Sequence, residues 1–252
     1  MLVSERNEPL LAKIRLLKSE HPFWGYRRIW AHLRYVDGMM VNQKRILRIM
    51  REAQLLVKPN LSIKASRVMK PKPKPTRPNE WWGIDMTKVM TLHGGWVYIV
   101  VVLDWRTKKV VGHYAGYQSK SWHWLLAVDK AVNRQFPALG ARGQGVHLMS
   151  DNGCQPTSES FMKTCRTLGI QQAFTSYNNP KGNADTERMM RTLKEELFWL
   201  REWNNLDEID RALDRWVEHY NSNYLHSALG YQSPECFERE FYVGQDTPLN
   251  YA

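Results

Sequence analysis

A run of alternating lysine and proline, Lys70-Pro71-Lys72-Pro73-Lys74-Pro75-Thr76-Arg77-Pro78, constrains this chain more than any other feature. Proline lacks the amide donor that helix interiors and inner strands require, and it pushes the residue before it toward extended backbone. The run therefore reads as an extended, polyproline-like connector, and the chain must fold as one body before it and another after it. Residues 58–80 are assigned to this linker. Lys72 and Lys74 are spaced along it so as to follow a phosphate backbone; a passive spacer fits the same composition.

The charge divides at the same place. Residues 1–79 hold 18 Lys and Arg against 5 Asp and Glu, whereas residues 80–252 hold 18 against 20. A strongly basic arm joined to a near-neutral body points to polyanion binding by the arm and other work by the body. The alternative is a basic face that only keeps the protein in solution.

Within the arm the apolar residues recur at helical spacing. Leu10, Leu11, Ile14 and Leu17 form one stripe, Tyr26, Ile29, Trp30 and Leu33 a second, and Val41, Ile46, Leu47, Met50 and Leu55 a third. Val36-Asp37-Gly38 supplies a turn between the second and third, so residues 1–57 read as a helix-turn-helix domain. The polar face of the last helix carries Asn42, Lys44, Arg45 and Arg48, side chains suited to phosphates and base edges, and Arg27 and Arg28 on the preceding helix join this DNA-binding set. A plain three-helix bundle is the competing reading.

After the linker the period changes to that of strands. Trp82 to Thr91, Trp96 to Leu103 and Lys109 to Ala115 are β-rich, with turn signals at Gly94-Gly95 and at Asp104 to Thr107. A helix over 122–136, a strand over 146–150, a helix over 159–168, a short strand over 170–174 and helices from about Ala184 and about Leu206 follow. Three antiparallel strands and then alternating helix and strand describe an α/β domain with a mixed sheet, assigned to residues 81–240, with 241–252 as a tail. Cys154, Cys165 and Cys236 show neither disulfide nor zinc spacing and read as free thiols. No apolar run is long enough to cross a membrane and no signal-peptide core precedes the first helix, so the expectation is a soluble, cytoplasmic protein with no membrane partner.

Three carboxylates in the α/β body stand at an element end or within a strand. Asp85 lies inside a strand pattern, Asp151 ends one, and Glu187 opens a helix with 35 residues between it and Asp151. A buried Asp is costly unless paired or metal-bound, and hard oxygen donors of this kind suit a pair of Mg²⁺ ions acting on a phosphodiester. Each has an ordinary explanation as well: a solvent-facing strand residue, an Asx turn before Asn152-Gly153, and a helix-dipole partner. Asp104 reads as a hairpin residue, and Asp185 points away from Glu187 around the helix. Arg191 and Lys194 share a stripe with Glu187, and with Arg188 they suit a DNA track beside the metals; ion pairs within the helix are the alternative. The preceding loop, which contains Lys181, has the composition of a mobile segment able to close on substrate.

The segments Trp81-Trp82-Gly83-Ile84-Asp85-Met86-Thr87, Ser150-Asp151-Asn152-Gly153 and Pro180 to Arg188 resemble the DDE transposases of bacterial insertion sequences, most nearly the orfB type of the IS-three family, which is related to retroviral integrases. Glu20 to Ile29 and Tyr220 to Gly230 are similar to that family's helix-turn-helix and its end signature. The resemblance implies a ribonuclease-H-like, mixed five-stranded sheet flanked by helices, with Asp85, Asp151 and Glu187 as catalytic ligands of two Mg²⁺ or Mn²⁺ ions. It implies cleavage at transposon ends to free a 3′ hydroxyl, and attack of that hydroxyl on target DNA. It also implies an oligomer on the terminal inverted repeats, an upstream-frame (orfA-type) fusion or partner, and a place on the bacterial nucleoid. The zinc module of retroviral integrases is absent. A catalytically silent DNA-binding regulator derived from such a transposase is the alternative.

Overall fold

The computed structural model describes residues 3–57, 73–175 and 182–246. They divide into two compact units, one formed by residues 1–65 with 225–232, the other by 66–224 with 233–252.

The first unit is helical: α1 (Val3–Glu20), α2 (Tyr26–Tyr35) and α3 (Gln43–Glu52). Ile14, Ile29, Leu33, Ile46 and Met50 interlock in its centre, so each stripe read from the sequence faces the same core. Gly38, at φ 66°, supplies the left-handed turn that lets the chain leave α2, a conformation glycine adopts at little cost. Asn42 then caps α3, its side chain accepting from the Lys44 amide at 2.8 Å. Residues 225–232 belong to this unit although they follow the α/β elements in sequence. The Tyr231 ring stacks on Tyr35 at 5.6 Å and meets Trp30 edge-on at 5.3 Å.

In the second unit, β1 (Trp81–Thr91), β2 (Gly95–Asp104), β3 (Val110–Gly116), β4 (His147–Ser150) and β5 (Gln171–Phe174) form one sheet in the order β3-β2-β1-β4-β5. β1, β2 and β3 pair antiparallel; β4 and β5 continue the sheet in parallel from β1. Along β2, Val97, Ile99, Val101 and Leu103 face one layer, and Val100 and Val102 face the other. A strand buried on both faces reads as a continuous apolar run, which is what its sequence shows. α4 (Ser121–Gln135) and α5 (Glu159–Thr167) cover the face of Val100; α6 (Ala184–Glu196) and α7 (Leu206–Asn223) cover the face of Val101. The ribonuclease-H-like expectation of a mixed, helix-flanked, five-stranded sheet holds. No helix among the described residues is long and apolar enough to span a membrane.

The β2–β3 turn ties two helices to the sheet. Asp104, almost fully buried, closes it by accepting from the amides of Arg106 (2.7 Å), Thr107 (3.0 Å) and Asn79, the hairpin role expected of it. Asn221 on α7 holds both the amide and the carbonyl of Val110, at 2.8 and 2.9 Å. A helix absent from the sequence reading, α8 (Pro234–Asp246), runs past the expected domain end at 240 and docks on this turn through a Lys109–Glu238 ion pair and Arg106 over the Phe237 ring.

Candidate active site

Asp85 sits within β1, two residues after Gly83, so both point to the α6 face of the sheet. β1 and β4 run parallel with Gly83 opposite Met149; continuing that register by two residues sets Asp85 level with Asp151. Asp151 is the first residue beyond β4 and is exposed at the strand's carboxyl end. Its Oδ1 accepts from the Gly153 amide at 3.0 Å, so the expected Asx turn is present and presents the carboxylate. Asn152 fastens the same loop by donating to the Thr175 carbonyl at 2.7 Å.

Glu187 lies in the first turn of α6, exposed to solvent. That turn rests directly on the β1 backbone. A Cβ on Gly83 would stand 1.9 Å from Thr186 Oγ1 and 2.4 Å from Trp105 Nε1, so only glycine admits this approach. Trp105 Nε1 donates to Thr186 Oγ1 at 3.0 Å, and Asn183 Nδ2 donates to the Ile84 carbonyl at 3.2 Å. Asn183 is therefore an N-cap residue that makes no side-chain cap bond, giving up about 1 kcal/mol of local helix stability for a tie to the strand. Asp185 pairs with Lys108 at 2.9 Å, which removes it from competition with Glu187 for the site.

The electrostatics bring the three acids together. The Asp85 carboxyl is pushed up to about 6, first by burial and then by the charges of Asp151 and Glu187; the Met86 amide, donating to its Oδ1 at 2.8 Å, and the Lys194 ammonium pull the other way. A buried acid in a strand, with the charges of two further acids felt at it, belongs to a donor set that a divalent cation would satisfy. Among the described residues no three His, Cys, Asp or Glu side chains are closed to ligating distance.

The basic side chains assigned to DNA fall into three groups. Arg27, Lys44, Arg48, Lys74 and Arg188 are exposed. Others are engaged within the protein: Asn42 in its cap, Arg45 in two bonds to Asn7 on α1 (3.1 and 2.8 Å), Arg28 beside the Trp24 ring, Arg191 with Glu195 at 2.7 Å, and Lys194 in the field of Asp85. Lys72 and Lys181 lie outside the described residues. The sequence reading gave Thr186 and Gly83 no role of their own and took Trp105 only as part of a hairpin turn. The one available signal was a glycine inside a strand pattern, two residues before an acid.

Residues 75–180 and 168–234 match the family models of an integrase core domain, and residues 5–60 match that of an HTH-like domain. The chain is 30% identical to the transposase for insertion sequence element IS904 of Lactococcus lactis, over 92% of this chain and 94% of that protein. It is 28% identical to the putative transposase InsK for insertion sequence element IS150 of Escherichia coli, over 87% and 79%. Among solved structures it is similar to the simian T-cell lymphotropic virus intasome in complex with the PP2A regulatory subunit B56 gamma, with TM-score 0.55 and 16% identity over 95% of this chain and 76% of that one. It is also similar to the catalytic core domain of BIV integrase, with TM-score 0.50 and 20% identity over 67% and 99%. At those identities the likeness is one of fold.

Proposed function

We propose that this chain, which belongs to the IS-three-family transposases of bacterial insertion sequences, cuts DNA at its element's ends and joins the freed 3′ hydroxyl to a target phosphodiester. The observation that carries the reading is the grouping of Asp85, Asp151 and Glu187 about one end of the sheet, close enough that the charges of Asp151 and Glu187 are felt at Asp85. All three offer hard oxygen donors, and Asp85, Asp151 and Glu187 would hold the ions. Two Mg²⁺ or Mn²⁺ ions bound there would activate the attacking oxygen and stabilise the leaving one.

The remaining work falls to the chain's own side chains. Asp85 retains a proton to higher pH than an ordinary carboxyl, chiefly through burial and then through its negative neighbours. Lys194, whose charge is felt at Asp85, is positioned to attract the phosphate beside the acids. Arg188 and Arg191 extend that positive track along α6, while Lys44 and Arg48 on α3, with Arg27 on α2, give the helical unit its exposed cations for duplex DNA. Lys72, Lys74 and Lys181 complete the proposed contacts. Oligomerisation on paired ends, a partner from an upstream frame and a place on the nucleoid belong to the same proposal.

The test is cleavage and strand transfer on the cognate element ends with Mg²⁺ or Mn²⁺, in wild type and Asp151→Asn. Wild type should cut and join; the variant should bind the ends with unchanged affinity and cut about a hundredfold to a thousandfold more slowly, the effect of removing a principal source of transition-state charge stabilisation. Equal activity of the variant overturns the assigned roles. Wild type that binds ends without cutting would establish a silent regulator.

A further inference from the structure

We infer that Thr186, Trp105 and Asn183 are positioning residues that set where Glu187 stands relative to Asp85. The inference rests on the proposed role of Glu187 as a metal ligand. Two ties join the backbones that carry the two acids. In the first, Asn183 Nδ2 donates to the carbonyl of Ile84, the residue before Asp85, while the Asn183 carbonyl accepts from the Glu187 amide at 3.0 Å. In the second, the hydroxyl of Thr186, the residue before Glu187, is seated against Gly83 and held by the Trp105 indole.

Neither tie is needed to keep α6 on the sheet. Met189, Met190 and Leu193 are buried in the core on that face, and they secure the body of the helix by apolar contact. What the polar bonds add is direction in the first turn. Thr186 is wholly buried and Trp105 nearly so, and the Trp105 amide is itself held by the Trp81 carbonyl at 2.9 Å. Lys108 braces the same turn by bonding both the Trp105 carbonyl (2.6 Å) and Asp185. A polar bond that is fully enclosed, is supported from behind and adjoins a ligand has the form of an outer-shell contact that orients it.

The test uses the full chain, without DNA, and Mn²⁺ alone as probe, with binding measured by calorimetry. Thr186→Val keeps the shape and removes the hydroxyl; Thr186→Ser keeps the hydroxyl. Thr186→Val should weaken Mn²⁺ binding by about tenfold, in the range seen when outer-shell partners are lost, and Thr186→Ser should stay within about twofold of wild type on the same scale. In a Glu187→Gln background, Thr186→Val should produce no further loss, because the residue it orients no longer ligates. On DNA, the Mn²⁺ concentration for half-maximal end cleavage should rise by the same factor while the affinity for end DNA is unchanged.

Unchanged Mn²⁺ binding in Thr186→Val overturns the inference, as does an equal loss with and without Glu187→Gln, which would mark a purely structural contact. Wild type that binds no Mn²⁺ overturns the metal-site reading and this inference with it. Trp105→Phe removes the same hydrogen bond from the other side and is judged by the same criteria if Thr186→Val does not fold.

Discussion

The Thr186 hydroxyl occupies the place where Gly83 would carry a side chain: a Cβ there would lie 1.9 Å from Thr186 Oγ1. Its next neighbours, Trp105 Nε1 and Asn183 Oδ1, belong to buried side chains held by their own hydrogen bonds, so neither is a flexible end. Gly83→Ala is expected to lift the first turn of α6, costing about 1–3 kcal/mol of stability as overpacking usually does, and to lower Mn²⁺ affinity. Gly112→Ala is the control, since its Cβ would meet the Ala127 carbonyl of α4 at 2.1 Å, on the opposite layer. Urea unfolding with Mn²⁺ titration should show comparable destabilisation for both and weakened metal binding only for Gly83→Ala.

Asp85 carries a conflict between function and stability. Its carboxyl titrates at about 6 in the fold against 3.8 ordinarily, so the folded state binds the extra proton between those values and stability falls as pH rises through that window. By neutral pH the cost is at most about 3 kcal/mol, and less in practice because the half-buried side chain is partly screened by water. Asp85→Asn should therefore raise the stability of metal-free protein at pH 7.5 while abolishing cleavage. Mg²⁺ should raise the melting temperature of wild type and leave that of the variant unchanged. A variant less stable than metal-free wild type would contradict the assigned environment.

What could be read in the sequence, and what could not, follows from the range of the interactions involved. β1 to β3 and α4 announce themselves because period-2 and period-3.6 burial leave local marks, as in the β2 run from Val97 to Leu103. Asp85 and Asp151 stood out because an acid within or at the end of an apolar strand needs a reason. The seat of Thr186 on Gly83 leaves no local mark, since it depends on two distant segments meeting. α8 docks through Glu238 on Lys109 and Phe237 under Arg106, contacts with a segment more than a hundred residues away that leave no local mark. Residues 225–232 join the helical unit through the Tyr231 ring, and one ring has no period to detect.

The cations of α3 have different work. Lys44 and Arg48 are exposed, whereas the Arg45 guanidinium is spent on Asn7 of α1. Lys44→Ala and Arg48→Ala should each weaken DNA binding and reduce the slope of log affinity against log salt by about 0.9, one released counterion per phosphate contact. Arg45→Ala should leave the slope unchanged and lower the stability of the helical unit by about 1.5–3 kcal/mol, the usual range for hydrogen bonds from a charged group. Affinity measured across a salt series, together with thermal unfolding, separates the two classes. An Arg45→Ala variant with full stability and a reduced slope would reassign it to DNA.

His113 on β3 is nearly fully buried, with Nε2 2.6 Å from Asp214 Oδ1 on α7 and 2.8 Å from Lys130 Nζ on α4. Burial, and then the Lys130 charge, hold its titration down at about 4; the Asp214 bond works in the opposite direction and does not win. With an ordinary value of 6.5, the unfolded chain binds the proton first as pH falls. The stability that neutral His113 contributes is therefore complete above 6.5 and is lost progressively toward pH 4, by at most about 3 kcal/mol. Asp85 and Asp104, both near 6, shift stability in the opposite sense on acidification, so the wild-type profile alone cannot isolate the histidine. His113→Gln removes the histidine's proton site and also its bond to Asp214, whose carboxyl, raised by burial but pulled lower on balance by His113 and Lys130, titrates toward the acid end of the range. The stability of wild type minus that of His113→Gln, from urea unfolding at pH steps between 7.5 and 4, should fall as the pH is lowered; a flat difference would mean that His113 accepts its proton in the fold as readily as in the unfolded chain.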